Sequence, residues 1–136
     1  MKVIPYLIFN GNCEEALNFY TKALGGNLGH MSRYSDVPPE QNQMNMASDK
    51  IMHTQFMKDG EVLLMASDGP TTDTDSGMVS LSLDYKDPGG MENAFAQLSD
   101  GGSVTMPLQD TFWNARFGML TDKYGVKWMF NHDIKK

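Results

Sequence analysis

An internal repeat constrains the fold of this chain more than any single motif does. Residues 60–68 and 125–133 each run from a turn glycine, through a mostly apolar strand, to an aspartate at the same offset. A short amphipathic stretch that ends at a glycine pair precedes each of them, at residues 12–26 and 91–102. Apolar residues at helical spacing, followed by glycine, predict a helix in both stretches.

An apolar run precedes each predicted helix, at residues 3–9 and 78–83. Such runs are typical of strands, so each copy has the order strand, helix and about three further strands. We therefore expect an α+β fold of two βαβββ modules, residues 1–68 and 77–136, joined by a linker at residues 69–76.

Composition limits the size of the fold and the class of partner. The 136 residues suffice for one domain, residues 1–136, with a buried core. A net charge of -6, with 11 basic residues and none of them in a run, argues against nucleic acid or an anionic membrane as the partner. The chain shows no leader, no apolar run near the roughly 18 residues that span a bilayer, and one cysteine that cannot form an intrachain disulfide. We therefore expect a cytoplasmic protein.

Four stretches of the sequence resemble one known family. Residues 5–26, 51–56, 63–68 and 111–131 together resemble the PhnB-like branch of the vicinal oxygen chelate superfamily, which includes glyoxalase I, bleomycin-resistance proteins and extradiol dioxygenases. The resemblance implies curled mixed sheets around a shared cavity, and a homodimer. It also agrees with the repeat found from the residues themselves.

The resemblance implies positions for a metal as well. In enzymatic relatives, His, Gln or Glu side chains from the first and last strands of each module hold a divalent ion. Here the first-strand positions fall at Pro5 and Ser80, and the last-strand positions, counted from the turn glycines, at Leu64 and Met129. None is a competent ligand, so we expect no metal site and no cofactor, while a divalent metal in another arrangement stays open. A shift by one residue gives no better set: Tyr6, Met65, Leu81 and Phe130.

Candidate ligand-binding residues lie on the predicted strands. His53 and Gln55 share one face of an alternating strand, opposite Thr54 and Phe56. His53 is either a general base or hydrogen-bonding group in a cavity, and so a tentative catalytic residue, or a partly exposed histidine bonded to backbone. Asp68 either lies at the cavity rim or caps a turn.

The second copy supplies the other candidates. If the apolar residues of its first strand, Val79 among them, lie under the helix, Ser80 and Ser82 point to the concave side. Residues 111–131 predict two strands around a polar turn, and Trp113 and Phe117 share a face of the first, as an aromatic wall for a planar ligand or as core.

Two further residues have competing interpretations. Cys13 follows Asn12, the expected N-cap of the first helix, and is either an inert small residue or a thiol activated by the helix dipole. Arg116 either contacts a ligand, lies on a solvated face or pairs with an aspartate.

Two functions stay open on these grounds. The first is a small-molecule binding protein that holds an aromatic or apolar metabolite in a metal-free cavity, with the ligand unknown. The second is a metal-dependent lyase, isomerase or dioxygenase-like enzyme that acts on a vicinal-oxygen substrate. Some relatives are labelled methyltransferases of quinone biosynthesis, but no glycine-rich cofactor loop follows a strand here, so the sequence does not support that activity.

Overall fold

Two units make up the chain, residues 1–73 and 74–136. The structure is a computed structural model that describes residues 1–42, 45–70 and 77–134. Most of the predicted linker therefore lies outside the described residues. Within the described part, neither helix has the length and apolarity to cross a bilayer.

The first unit contains one helix and one mixed sheet. Its strands run in the order β1-β5-β4-β2, with β3 paired to β4, and β1 is parallel to β5 while the other pairs are antiparallel. A hairpin at Asp59 and Gly60, both with positive φ (54° and 80°), joins β4 to β5. The elements are β1 Tyr6–Phe9, α1 Cys13–Leu24, β2 Asn27–Leu28, β3 Ser32–Arg33, β4 Ile51–Lys58 and β5 Glu61–Asp68.

The second unit repeats this topology. Its sheet has the order β6-β9-β8-β7, and the first and last strands are again the parallel pair. The predicted α+β fold of two helices and two mixed sheets is confirmed. The second unit is a βαβββ unit, while the first has one additional short strand, β3, which pairs with β4. The elements are β6 Leu81–Asp84, α2 Pro88–Ser99, β7 Ser103–Asp110, β8 Ala115–Thr121 and β9 Lys127–Asp133.

Each helix covers only one face of its sheet. In the first unit the helix-facing strand residues are almost fully buried, as Phe56 at 0% and Leu64 at 2% exposure show. In the second unit Phe95 of α2 packs edge-on against Phe130 of β9, with ring centroids 5.1 Å apart. Because side chains alternate along a strand, the residues between these buried positions form a second, helix-free face.

One predicted orientation is wrong because of a β-bulge. Counting from the turn glycine placed Leu64 on the cavity side, but Leu64 faces α1. The register between β4 and β5 shifts by one at Leu63, which inserts an extra residue and reverses the alternation beyond it. The true counterpart of Met129 on the helix-free face is therefore Met65.

Three other predicted strand positions need correction. The parallel pairing of β6 with β9 starts at Leu81, so Ser80 precedes the strand and is exposed, and Val79 is 57% exposed rather than covered by the helix. Trp113 lies in the turn before β8, where Asn114 has a φ of 63° and the backbone N–H of Thr111 donates to the carbonyl of Ala115.

A buried carboxylate holds the first unit together. Asp68, only 1% exposed, accepts the backbone N–H of Cys13 at the start of α1 and that of Ile51 at the start of β4, both at 2.9 Å. Its carbonyl accepts the Tyr34 hydroxyl at 2.9 Å. Asn12 makes no side-chain cap bond, so Asp68 supplies from a distant strand an acceptor for the helix end.

We predict that Asp68→Ala lowers the free energy of unfolding by about 2 to 4 kcal/mol, because it leaves two backbone N–H groups without an acceptor in the interior. Urea denaturation measures the loss. The matched control is Asp133→Ala, at the equivalent offset of the repeat but exposed, which should change stability by less than about 0.5 kcal/mol. Equal effects of the two substitutions would contradict this account.

Candidate functional site

A tyrosine and a histidine meet on the helix-free face of the first unit. The Tyr6 hydroxyl lies 3.2 Å from Nδ1 of His53, and their ring centroids are 5.8 Å apart. Tyr6, Met65 and Gln55 form one row across β1, β5 and β4, and His53 is two residues from Gln55 on the same face. Two of the sequence-predicted residues, His53 and Gln55, are thus neighbours of Tyr6, which the prediction missed.

The pair can offer a ligand a directed polar group. If Tyr6 donates to Nδ1 of neutral His53, the imidazole keeps an N–H at Nε2 to donate. In the other tautomer His53 donates from Nδ1, which leaves the tyrosine hydroxyl as a donor and Nε2 as an acceptor. Tyr6 is 46% exposed, so a ligand can reach this pair.

The surroundings of the pair are apolar. Ile8 is 55% exposed and Leu63 is 38% exposed, although both are large hydrophobic side chains. The helix-free positions of β1, β4 and β5 carry no aspartate, glutamate, lysine or arginine. The face therefore suits an uncharged surface of a ligand better than a charged one.

The second unit presents an aromatic and methionine-rich face. One row across its sheet reads Gln109, Phe117, Asn131 and Asp84, from β7 to β6. The next row reads Met106, Met119, Met129 and Ser82. Unbranched thioether side chains adapt to irregular ligands, so this row forms a deformable apolar floor.

An aromatic cluster borders that face. The Trp113 ring lies 5.8 Å from that of Phe117, at 67°, and 5.0 Å from that of Phe112, at 90°. Trp113 is 51% exposed and Phe112 is 93% exposed. Trp113 and Phe117 are therefore in contact, although Trp113 reaches Phe117 from a turn and not from the same strand as predicted.

The remaining candidates lie elsewhere. Asp68 uses its carboxylate for backbone hydrogen bonds, as described above, and Ser80 lies outside the strand. Arg116 faces α2, where its Nε donates to Glu92 at 2.7 Å and Nη1 to Asp110 at 3.2 Å, so the predicted acidic partner is confirmed. Those carboxylates raise the pKa of the guanidinium.

A polar cleft of about 350 Å³ opens at the start of α1. Cys13, which lies between the lining residues Asn12 and Glu14 in the sequence, is fully buried, and burial, together with the charges of Asp68 and Glu14, raises the pKa of its thiol to about 12. The cleft therefore has no thiolate nucleophile, and Cys13 is an inert residue. The lining consists of Gly11, Asn12, Glu14, Glu15, Asn18, Asp49, Lys50, Ile51 and Asp68.

We predict that Cys13 of the folded protein does not react with a disulfide reagent such as Ellman's reagent at pH 8, because the buried thiol stays protonated well above that pH. The absorbance of the released chromophore measures the reaction. In denaturant the same sample should release one equivalent, since Cys13 is the one cysteine of the chain. Rapid modification of native protein would show that the helix end is open.

The residues at the family's metal positions do not fit a transition metal. The bulge moves the first last-strand position from Leu64 to Met65, and the parallel pairing places Tyr6 beside Met65 and Ser82 beside Met129, in place of the predicted Pro5 and Ser80. Thioethers and neutral hydroxyls do not offset the dehydration of zinc, nickel or iron. Within the described ranges, no three His, Cys, Asp or Glu side chains are grouped so as to hold an ion.

Comparison with known families and relatives agrees with the fold. The sequence pattern of the 3-demethylubiquinone-9 3-methyltransferase family matches residues 1–130. Protein YjdN of Escherichia coli K12 is 30% identical over 139 residues, which cover 96% of this chain and 95% of that protein.

Solved structures show the same relationship. Protein PA1353 from Pseudomonas aeruginosa is 42% identical, with a TM-score of 0.83 over 98% of both chains. A PhnB protein from Bacillus cereus is 28% identical, with a TM-score of 0.81 over 97% of this chain and 99% of that chain. A glyoxalase/bleomycin resistance protein/dioxygenase from Nocardioides shares the fold alone, at 19% identity and a TM-score of 0.57 over 99% of this chain and 85% of that one.

The fold is therefore that of the glyoxalase and bleomycin-resistance proteins, as the sequence predicted. Within that class, the chain belongs to the 3-demethylubiquinone-9 3-methyltransferase family, the PhnB-like branch of the vicinal oxygen chelate superfamily.

Proposed function

We propose that this protein binds a small aromatic or apolar molecule on the helix-free faces of its sheets and needs no metal to do so. The observation that carries the proposal is the hydrogen-bonded pair of Tyr6 and His53 on a face that no helix covers. The proposal also includes the homodimer and the cytoplasmic location expected above.

The pattern of exposure supports a binding face. A sheet face that meets water normally carries polar side chains at alternate positions. Here Tyr6, Ile8 and Leu63 occupy such positions in the first unit, and Met129 and Phe117 occupy them in the second. Contiguous apolar surface with a few polar groups is typical of ligand sites.

The polar groups would orient the ligand and the apolar groups would hold it. Transfer of an aromatic ring from water to an apolar face is favourable at roughly 25 cal/mol per Å². A single directed hydrogen bond from the pair of Tyr6 and His53 adds about 1 kcal/mol and selects ligands that carry an oxygen or nitrogen at the right place. A site that combines apolar contacts with one directed hydrogen bond suits a carrier or a sequestering protein.

An enzymatic function rests on the same pair. A histidine within hydrogen-bond reach of a tyrosine hydroxyl can exchange a proton with a substrate. Without a metal, this alternative would use acid–base chemistry; the metal-dependent lyase, isomerase or dioxygenase-like enzyme would instead need an ion held elsewhere than at the family's metal positions, whose residues are poor ligands. The methyltransferase activity in the family's name would need a cofactor site, and the sequence contains no glycine-rich loop after a strand to form one.

We predict that His53→Ala weakens the binding of 1-naphthylmethanol, a neutral aromatic alcohol, by about fivefold, the value of one lost hydrogen bond. Isothermal titration calorimetry measures it. The melting temperature should change by less than about 2 °C, because His53 is half-buried on a strand face and packs in no core.

The matched control is His30→Ala, at an exposed position of the same unit, which should leave the affinity unchanged. A large fall in melting temperature with unaltered binding would instead make His53 a structural residue.

We also predict that protein purified without chelators contains far less than one equivalent of zinc, nickel, iron or manganese, since the residues at the family's metal positions are poor ligands. Elemental analysis by mass spectrometry gives the ratio of metal to protein. A stoichiometric, tightly bound ion would exclude the metal-free proposal and favour the metalloenzyme.

A further inference from the structure

We infer that the second unit binds a soft monovalent metal ion, copper(I), at three methionines on its helix-free face. These residues, called the methionine row below, are Met106, Met119 and Met129, one on each of three neighbouring strands. The inference does not rest on the proposed binding of a small molecule, and it concerns another kind of ion than the divalent metals of the enzymatic relatives.

Strand pairing places the three methionines side by side. Met119 is the register partner of Met106 on β7 and of Met129 on β9. Directly paired residues share a sheet face and are about 5 Å apart. The next residues along β8 and β9, Leu120 and Phe130, are buried, whereas all three methionines are partly exposed. An ion can therefore reach the methionine row from the side that the helix leaves open.

A β-bulge brings the third thioether into the row. Val104 of β7 pairs with Leu120 of β8, so regular pairing would set Thr105 opposite Met119. The register shifts between Val104 and Met106, and Met106 takes that place instead. Bulges re-aim side chains and are over-represented next to functional sites. This bulge exchanges a hydroxyl for a third sulfur donor.

The donor set selects the ion. A methionine side chain is unbranched and has three rotatable bonds, so the two outer thioethers can lean toward the middle one and share an ion with it. Thioether sulfur is a soft, neutral donor that selects copper(I), whereas zinc, nickel and iron need imidazole or anionic ligands to offset their dehydration.

The charges near the row also favour a monovalent ion. Lys127 is two residues from Met129 on the same face of β9, and its Nζ donates to the Gly77 carbonyl. The repulsion between this ammonium and a metal ion is proportional to the charge of the ion, so it is half as large for copper(I) as for a divalent metal.

The first unit provides an internal comparison. Met65 is its counterpart of Met129, and the neighbours of Met65 in the row are Tyr6 and Gln55. One thioether beside a hydroxyl and an amide is not a soft donor set. The inference therefore assigns the ion to the second unit, although both units have the same topology.

The test titrates the full-length protein with silver(I), a redox-stable ion with the donor preference of copper(I), and follows carbon-13-labelled methionine methyl groups by NMR. Of the 12 methionines, we expect Met106, Met119 and Met129 to shift together and to saturate at one equivalent of silver. Zinc should leave these signals in place.

Anaerobic competition with a chromogenic copper(I) chelator then gives the affinity for copper(I) itself. Thioethers carry no proton to lose, so this affinity should be equal at pH 8 and pH 5, whereas a site built on histidine would weaken over that range.

One substitution removes the central donor. Met119→Leu should weaken copper(I) binding by at least about tenfold, since the loss of a group that only orients a metal ligand already costs that much. Leucine keeps the volume and the apolar character of methionine, so the variant should fold. The matched control is Met78→Leu, at a position outside the row that is 99% exposed, and it should leave the affinity unchanged.

The outcomes separate this inference from the proposed function. Unmoved signals of the methionine row, undiminished copper(I) affinity in Met119→Leu, or an affinity that falls between pH 8 and pH 5 would each overturn the inference. The binding of 1-naphthylmethanol is measured without any metal, so none of these results would affect the small-molecule proposal.

Discussion

One helix covers one face of each sheet, and the rest of the structure follows from that constraint. A mixed sheet of four or five strands has two faces, and the single helix of each unit buries the residues of one parity. The opposite parity carries Tyr6 and Ile8 in the first unit and Phe117 and Met129 in the second. These side chains are largely apolar, and burial of apolar surface away from water is favourable, which is the basis of the ligand-binding proposal.

The two copies of the repeat have kept their topology while they have changed their chemistry. The aspartate that ends each last strand is the clearest case. Asp68 is buried and accepts backbone N–H groups from α1 and β4, so it serves the fold. Asp133 is exposed and accepts a hydrogen bond from the side-chain amide of Asn131, which also donates to Asp84.

The two helices also differ in the group that accepts hydrogen bonds from their first backbone N–H groups. Asp87 caps α2 locally, since its side chain accepts from the N–H groups of Gly89 and Gly90. In α1 the local residue Asn12 makes no such bond, and the acceptor comes from Asp68, 55 residues from Cys13 in the sequence. An acceptor supplied over that distance makes the position of α1 depend on a completed sheet.

Much of this protein could be predicted from the sequence by itself. Helical spacing, turn glycines and alternating strands are local signals, so they were sufficient for the repeat, the α+β class and the shared face of His53 and Gln55. The tertiary structure decided what depends on pairing between distant strands. The bulge at Leu63 places Met65 instead of Leu64 on the helix-free face, and strand pairing brings the Tyr6 hydroxyl to His53. The alternation of apolar and polar side chains can be read from a strand's own residues. Its register depends on hydrogen bonds to a partner strand, and the local sequence does not identify that partner.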